Sequence, residues 1–339
     1  MRAVLLTKFG PPEVLRFSDI PKPEPKEGEV LIRTKAIGLN FADVMARLGI
    51  YPSIPDPPFV PGIELSGIVE KVGEGVQSPR EGDRVVAFSK QGGYAEYVCV
   101  PVNQTRIISS TMSFEEAAAF SVTYCTAYHA LITLAHVQRG EKVLLHAAAG
   151  GVGTAAIQIC KHLGVEVFAT AGSTEKLEIA RQQGANHLVD YRREDFAEIV
   201  RSKSGGYGVD VVMDSVGGSV FRKSWKLLAP MGRYILYGFA SITGERKINK
   251  LKALWEFLSV PLVYPPSVVS KNVALMGFNL YFLSHKVQYL NHVTTELMDL
   301  YKRGILRPVI GARFPFEKIV DAHVLMQSRK SYGKIVVVV

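Results

Sequence analysis

Two patterns of apolar and polar positions divide the chain. Up to about residue 120, short β-rich runs alternate with Pro and Gly, at residues 30–33, 67–72, 84–88 and 94–98. Short strands separated by frequent turn signals are typical of a small barrel or sandwich. The first third of the chain is therefore predicted to form a compact β domain.

From about residue 122 the pattern changes to strongly apolar strands separated by helical segments. The strands fall at 143–145, 165–168, 211–213, 234–237 and 273–276, and helices are clearest at 154–163 and 174–183. Strands this apolar, joined by helices, predict a parallel sheet that is covered on both faces. Residues 333–339 return to a strand pattern, which predicts that the chain ends back in the first domain.

Composition agrees with an ordinary globular protein of about two domains. The chain has 339 residues, of which 47% are hydrophobic and 21% charged, which excludes a disordered, collagenous or disulfide-scaffold protein. The net charge of +9 is spread along the chain and favours anionic small ligands or an acidic surface in general. No basic run is interleaved with aromatic residues, so nucleic acid is not an expected partner.

The cysteines and apolar runs bear on the compartment. Cys99, Cys125 and Cys160 are widely spaced and form neither a disulfide framework nor a CxxC zinc pattern, which favours a reducing, cytoplasmic environment. The first apolar run is too short for a signal peptide. The apolar stretch 257–269 contains three prolines and is shorter than the roughly 20 residues of a membrane span. Contact of this stretch with a membrane surface is the alternative left open.

The turn at residues 148–153 carries the clearest chemistry. It follows the apolar run 143–145 and precedes a helical pattern, and the predicted cofactor-binding residues in it are Ala148, Gly150, Gly151, Val152 and Gly153. Gly150 and Gly153 occupy the second and third glycine positions of a GxGxxG pattern, with Ala148 in the first. Free N–H groups at the start of the helix would bind a pyrophosphate. The alternative is a glycine turn that serves packing alone.

The end of the next predicted strand indicates which dinucleotide binds. An Asp or Glu there usually binds a free ribose 2′-hydroxyl, and residues 169–174 contain neither. Ser173 and Lys176 supply a hydroxyl and a cation instead, which suits a 2′-phosphate. After the third strand, either Tyr191 or Arg192 could add to this pocket. NADPH is therefore the predicted cofactor. The alternative is that Ser173 only caps a helix and Lys176 is solvated.

Several motifs resemble one family. They are residues 38–43, 61–67 and 123–128, the turn at 148–153, and Gly333-Lys334. Over essentially its whole length the chain resembles the zinc-free quinone oxidoreductases of the medium-chain dehydrogenase/reductase superfamily, and residues 239–283 resemble its vesicle amine transport protein branch. The resemblance implies an α/β protein with a GroES-like β-barrel catalytic domain (1–122 and 306–339). A doubly wound Rossmann domain (123–305) would bind NADPH, with the active site between the two.

Departures from the zinc alcohol dehydrogenases are informative as well. Ile63 stands where those relatives have a ligand His, and their closely spaced structural cysteines are missing. Tetrahedral zinc would lack its nitrogen and sulfur ligands here. No metal site is expected.

The resemblance also implies roles for individual residues in hydride transfer from NADPH to a quinone or an α,β-unsaturated carbonyl compound. Asn40 would contact the nicotinamide ribose and the substrate, Tyr51 would donate a proton, and Thr126 would line the nicotinamide pocket. Phe239, Phe278 and Leu280 would complete the cofactor site. Alternatives are a backbone-satisfying role for Asn40 and an aromatic lid without proton transfer for Tyr51. Asp43 is expected to orient Arg47 rather than act as a base.

Two alternatives to the quinone reductase function stay open, and the sequence also predicts an assembly. The enzyme alternative is an enoyl thioester reductase. The alternative from another class is a cofactor-binding interaction protein of vesicles or membranes with little catalysis. Residues 273–277 are predicted to form the last, edge strand of the parallel sheet, and bare apolar edges favour pairing. A two-fold homodimer is therefore predicted.

Overall fold

The computed structural model describes residues 1–244 and 250–339. The strands are β1 Arg2–Leu6, β2 Leu15–Asp19, β3 Glu29–Leu39, β4 Glu64–Val72, β5 Arg84–Phe88, β6 Tyr97–Pro101, β7 Thr105–Ile107, β8 Lys142–Leu145, β9 Glu166–Ala171, β10 His187–Asp190, β11 Val209–Asp214, β12 Leu228–Leu236, β13 Ala274–Gly277, β14 Ile310–Pro315 and β15 Lys334–Val338. The α-helices are α1 Phe41–Arg47, α2 Phe114–Tyr128, α3 Gly151–Leu163, α4 Thr174–Gln183, α5 Phe196–Lys203, α6 Ser219–Trp225, α7 Lys250–Ser259, α8 Pro265–Lys271, α9 Val287–Lys302 and α10 Ile319–Gln327.

The N-terminal strands form a curved sheet that the end of the chain completes. Its order is β14-β15-β3-β4-β5-β7, with β6 also paired to β3 and a separate β1-β2 ribbon. Strand β15 lies antiparallel to β3, with Ile335 opposite Leu39 and Val338 opposite Ala36. The strand pattern of the last residues therefore correctly predicted a return to the first domain.

The middle of the chain forms a six-stranded parallel sheet in the order β10-β9-β8-β11-β12-β13. The side chains of Val143 and Leu144 on β8 and of Val211 and Val212 on β11 are fully buried, because helices cover both faces of the sheet. Strand order reverses between β8 and β11, and ligands of such sheets bind beyond the carboxyl ends of the strands at this point. The fold is the predicted α/β combination of a GroES-like domain and a Rossmann sheet.

Helix α2 connects the two sheets. It packs against β3, β4 and β15 on one side and against α3 and α9 on the other. Its N-terminus is capped by Ser113, whose hydroxyl accepts a hydrogen bond from Glu116 N at 3.1 Å. The predicted domain boundary at residues 122–123 falls inside this helix, and the boundaries remain a prediction.

Within the described part of the chain, one helical stretch, Phe114–Leu134, is long and apolar enough to cross a membrane. It consists of α2 and the π-helical turn His129–Leu134. Its most apolar window is 67% buried inside the fold, as expected for a central core helix.

Two local expectations from the sequence are wrong. The apolar run 94–98 does not form one strand, since β6 begins at Tyr97. Tyr94 is buried because of its packing and not because it belongs to a strand. Its ring lies against Gly62, where a Cβ would come within 2.4 Å of Tyr94 Cδ1. Asp43 also does not pair with Arg47, because Arg47 donates to Gly10 O and to the side chain of Gln327.

The prolines of the apolar segment interrupt it as predicted. Helix α7 ends at Ser259, before Pro261, and α8 begins at Pro265. Proline is tolerated at a first helical position because an N–H there would have no acceptor within the helix. Residues 245–249 of the branch-specific segment 239–283 lie outside the described residues.

Candidate active site

A cleft of about 970 Å³ lies between the two sheets, at the carboxyl ends of the parallel strands. This volume is at the upper end for small-molecule sites and leaves room for a dinucleotide together with a small substrate. The cleft brings together most of the residues predicted from the sequence: Asn40, Tyr51, Thr126, Gly150, Gly151, Val152, Gly153, Lys176, Tyr191, Phe239, Phe278 and Leu280. Ala148 and Ser173 are not among the lining residues.

The glycine turn forms one wall of the cleft and has the geometry of an anion site. Helix α3 begins at Gly151 with Gly150 as its cap, and the first intrahelical bond runs from Thr154 N to Gly150 O at 2.8 Å. The N–H groups of the first helical turn therefore have no intrahelical acceptor and can bind an anion. Gly333 N donates to Ala149 O at 2.7 Å and fixes the turn against the end of the first domain.

Small residues in this turn are required by close backbone contacts. A Cβ on Gly153 would lie 2.4 Å from Ala148 O. Ala148 itself is fully buried and its N–H donates to Thr170 O at 3.1 Å. It therefore supports the turn from below rather than lining the cleft, which explains why no larger residue is found in the first position of the glycine pattern.

Cations gather at the end of β9, where a ribose 2′-substituent of the dinucleotide would lie. Lys176 lines the cleft, and both burial and the nearby Arg192 lower the pKa of its ammonium group. Arg329 also lines the cleft. The Tyr191 ring lies over Gly172, where a Cβ would meet the tyrosine oxygen at 2.6 Å. The Ser173 hydroxyl accepts a hydrogen bond from Lys176 N at 3.4 Å and so caps α4. This is the capping role given above as the alternative to phosphate binding.

The floor of the cleft carries a buried ion pair. Lys334 Nζ lies 2.6 Å from both Glu64 Oε2 and Asn40 Oδ1, and Glu64 Oε1 accepts from Val122 N at 2.7 Å. Lys334 is 3% and Glu64 0% exposed. Buried ion pairs of this kind need such additional hydrogen bonds to offset desolvation. The amide of Asn40 is thereby held in one orientation.

Asp43 lies behind this floor. Burial raises the pKa of its carboxyl group to about 7, and the hydrogen bond from Asn40 N, at 2.8 Å, works in the opposite direction. Within the part of the chain that the structure describes, its Oδ1 has no hydrogen-bond partner. The side chain therefore serves the local structure around Asn40 at the start of α1.

Tyr51 and Thr126, which are predicted to bound the substrate, also line the cleft. The Thr126 hydroxyl donates to Val122 O at 2.7 Å within its own helix. Tyr51 lies on the loop after α1 and donates across the cleft to Asn279 Oδ1 at 3.0 Å. Burial raises the pKa of Tyr51 to about 12, so the phenol remains protonated at neutral pH.

Sequence reasoning missed several polar residues that line the cleft, among them Lys334, Arg329 and Asn279. Lys334 lies in the Gly333-Lys334 motif of the family and Asn279 in the branch-specific segment 239–283, yet neither was given a role. Arg329 has a positive φ of 59° in the loop before β15, and no pattern in the sequence marks it.

No metal centre is apparent in the described ranges 1–244 and 250–339, which contain no group of three or more His, Cys, Asp and Glu side chains placed to hold an ion. Ile63 lines the cleft next to Glu64. The hydrocarbon side chain of Ile63 offers no ligand atom, and zinc independence stays a prediction that rests on this residue.

Comparison with known proteins identifies the class. A family model described as "Alcohol dehydrogenase GroES-like domain" matches residues 26–109, and one described as "Zinc-binding dehydrogenase" matches residues 183–337. The first match covers strands β3 to β7 of the GroES-like domain, and the second covers strands β10 to β15. The chain is a member of the medium-chain dehydrogenase/reductase superfamily.

Individual relatives narrow this assignment. The chain is 40% identical over 344 residues to the human synaptic vesicle membrane protein VAT-1 homolog, covering 100% of this chain and 86% of that protein. The structure of Escherichia coli quinone oxidoreductase complexed with NADPH is 31% identical with a TM-score of 0.90, covering 100% of both chains. The CurK enoyl reductase structure is 31% identical with a TM-score of 0.85, covering 99% and 98%. Within the superfamily, this chain belongs to the zinc-free quinone oxidoreductase family.

Proposed function

We propose that this protein is an NADPH-dependent reductase that transfers hydride to quinones or α,β-unsaturated carbonyl compounds without a metal ion. The observation that carries the proposal is the cleft itself. It is lined by the N-terminus of α3, which no side chain caps, by Lys176 and Arg329, and by Tyr51, which would lie near the substrate. The similar quinone oxidoreductase from Escherichia coli, solved with NADPH, supports the choice of cofactor.

The cleft residues fit a phosphorylated dinucleotide. Gly150 and Gly151 would allow its pyrophosphate to approach the N–H groups of α3, and Lys176 and Arg329 would hold the 2′-phosphate by charge-assisted bonds. The cofactor supplies the hydride. This chain provides orientation and a partly apolar enclosure that excludes water, to which Met45, Ile50 and Ile63 contribute.

For an enone, the reaction balances with one hydride and one proton. Hydride adds to the β-carbon, the π electrons of the carbon–carbon bond move towards the carbonyl oxygen, and a proton then adds at the α-carbon. Negative charge develops on the oxygen in the transition state, so a fixed hydrogen-bond donor at that position would lower the barrier. For a quinone, the same hydride and proton give a hydroquinone.

Stopped-flow measurement of NADPH oxidation tests the proposal with three acceptors: a quinone, an enal and an enoyl thioester. Turnover with the quinone or the enal is expected, and EDTA should leave it unchanged. Elemental analysis of protein purified without chelator should give substoichiometric metal. Stoichiometric zinc that is lost together with activity would refute the metal-free mechanism.

An enoyl thioester reductase is the second enzyme candidate, supported by the similarity to the CurK enoyl reductase. A strong preference for the thioester over the quinone and the enal would favour it.

A cofactor-binding protein of membranes is a third candidate, and an exposed apolar surface supports it. On α7, Leu254, Trp255 and Leu258 are 56%, 59% and 67% exposed. Tight binding of NADPH without turnover of any acceptor, together with sedimentation on lipid vesicles, would favour this function over catalysis.

A further inference from the structure

Two of the residues proposed for catalysis have no donor hydrogen left for a substrate. Asn40 Nδ2 donates to Gly38 O and to Glu64 Oε2, each at 3.0 Å. The Thr126 hydroxyl donates to Val122 O at 2.7 Å. Both residues line the cleft, but their hydrogens are used to hold the protein together. They can shape the pocket without polarising a carbonyl group.

Tyr51 is committed in the same way. Its hydroxyl has a single hydrogen, and this hydrogen points to Asn279 Oδ1 at 3.0 Å. The Tyr51 and Tyr281 rings also meet edge to face, with centroids 5.8 Å apart. The phenol is therefore held against the opposite wall of the cleft.

Asn279 is oriented by these contacts. Its Oδ1 accepts a second bond from Tyr281 N at 3.0 Å. A backbone N–H can only donate, so the amide oxygen must face it, and the usual ambiguity between the oxygen and nitrogen of an asparagine is removed. Nδ2, with two N–H donors, has no hydrogen-bond partner among the residues that the structure describes. Asn279 lines the cleft.

We propose that Asn279 supplies the hydrogen-bond donor that polarises the substrate carbonyl, and that Tyr51 and Tyr281 act as positioning residues for its amide. The proposal rests on the reductase function proposed above. Asn279 lies between Phe278 and Leu280, which line the cleft at the end of β13 and are expected to flank the nicotinamide. A donor here would therefore lie close to the carbon that receives hydride.

The chemistry required of Asn279 is limited to hydrogen bonding. Its amide loses no proton during the reaction, and the proton that completes the reduction comes from solvent. A prepositioned neutral donor stabilises charge on the oxygen without reorganising, which is the advantage of oxyanion-type sites. The Lys334 ammonium at the floor of the cleft already donates to two acceptors at 2.6 Å. Its third N–H belongs to a side chain that is only 3% exposed.

The test separates binding from turnover. The probe is 4-(dimethylamino)cinnamaldehyde, an enal whose absorption band moves to longer wavelength when its carbonyl oxygen accepts a hydrogen bond. It is added to the full-length protein saturated with NADP⁺, the oxidised cofactor, so that no hydride is transferred. Asn279→Asp is the decisive variant, since its carboxylate keeps both acceptor positions and has no N–H donor. Asn272→Asp, at an exposed asparagine that ends α8, is the matched control.

A red shift is expected for the wild type and the control, and its loss for Asn279→Asp. Tyr51→Phe should keep most of the shift, because Tyr281 N still holds the amide. In NADPH turnover, kcat of Asn279→Asp should fall by about 10²-fold, as for loss of an oxyanion donor, with a smaller change in KM. Loss of the shift in Tyr51→Phe with its retention in Asn279→Asp would make Tyr51 the donor and overturn the proposal.

The remaining outcomes distinguish this proposal from the reductase function. Absence of a shift in a wild-type protein that reduces the same aldehyde would overturn the role of Asn279 and leave the reductase function standing. A shift that depends on Asn279 in a protein that oxidises no NADPH would support the donor and refute the reductase.

Discussion

Lys176 is the residue on which the choice of cofactor depends most directly. It lines the cleft at the end of β9, near Arg329 and with Tyr191 at the same corner. Lys176→Ala should weaken NADPH binding by roughly 1.5–3 kcal/mol, the range for a hydrogen bond to a charged group, and NADH binding much less. Isothermal titration with both cofactors measures the difference.

The control for this prediction is Lys203→Ala, which removes an exposed cation at the end of α5. It should leave both affinities unchanged. Equal weakening of NADPH and NADH by Lys176→Ala, or a preference of the wild type for NADH, would contradict the assignment of a phosphate site.

Asp43 should make stability depend on pH. Burial raises the pKa of its carboxyl group in the folded protein to about 7, above the value of about 3.9 expected in the unfolded chain. The folded state therefore binds the proton more tightly, and the resulting stability is present below pH 4 and lost as pH rises through 7. Asp43→Asn removes this titration. Relative to the variant, the wild type should lose roughly 2–3 kcal/mol of unfolding free energy between pH 5 and pH 8.

Urea unfolding at several pH values measures this difference. Asp56→Asn, at an exposed loop position, is the control and should run parallel to the wild type. A pH-independent difference between the wild type and Asp43→Asn would show that the carboxyl group titrates normally despite its burial.

At the scale of elements, the turn between β8 and α3 depends on glycine at its third position. The Cβ of Gly153→Ala would lie 2.4 Å from Ala148 O. Because this oxygen belongs to the backbone, it cannot move aside as the end of a flexible side chain could. The variant should lose about 1–3 kcal/mol of stability, as for other overpacked sites, and bind NADPH at least about tenfold more weakly.

Gly10→Ala is the matched control for this prediction. Its Cβ would meet only the Val14 Cγ1 methyl group, at 3.1 Å, and Gly10 is not among the residues that line the cleft. Thermal unfolding and fluorescence titration report the two effects. Unchanged NADPH affinity in Gly153→Ala would separate the turn from the cofactor site.

How well an element could be predicted depends on whether its signals are local. Helix α4 has the predicted bounds 174–183 because Ser173 caps its start and Gly184, with a φ of 115°, ends it. Strand β5 likewise has the predicted bounds 84–88. Tyr94 misled the strand prediction because its burial comes from a distant contact with His323, at 3.0 Å between Tyr94 Oη and His323 Nε2.

The candidate site shows the same limit. The glycine turn and Lys176 follow from local patterns, and the structure places both in the cleft. The bond between Tyr51 and Asn279 joins residues 228 positions apart, and Lys334 meets Asn40 across 294. Only the closed fold brings such partners together, so their donors and acceptors could not be matched from the sequence.

At the scale of the whole molecule, β13 is the outer strand of the parallel sheet. Leu275 on this strand is 41% exposed, so the unpaired edge is also apolar. Such an edge favours pairing with a second copy, and we propose a two-fold homodimer formed through β13. Light scattering at micromolar concentration should give the mass of a dimer.

Two variants test this assembly. Ala274→Pro should weaken the dimer because proline distorts the strand, and Leu275→Lys should weaken it without altering the backbone. Val324→Lys, at an exposed position on α10, should leave it intact. A monomeric wild type would refute edge pairing and would favour a lipid-facing role for α7.

The helix shared by the two sheets has a consequence for how the protein folds. Phe120 and Tyr124 of α2 belong to the same buried cluster as the strands of the parallel sheet, while Ala118 and Ala119 pack on β3 and β15. Division of the chain at residue 122 would cut this helix and expose both cores. The two domains differ in architecture, but we expect neither to remain folded alone. We therefore expect calorimetry of the intact chain to show one cooperative transition rather than two.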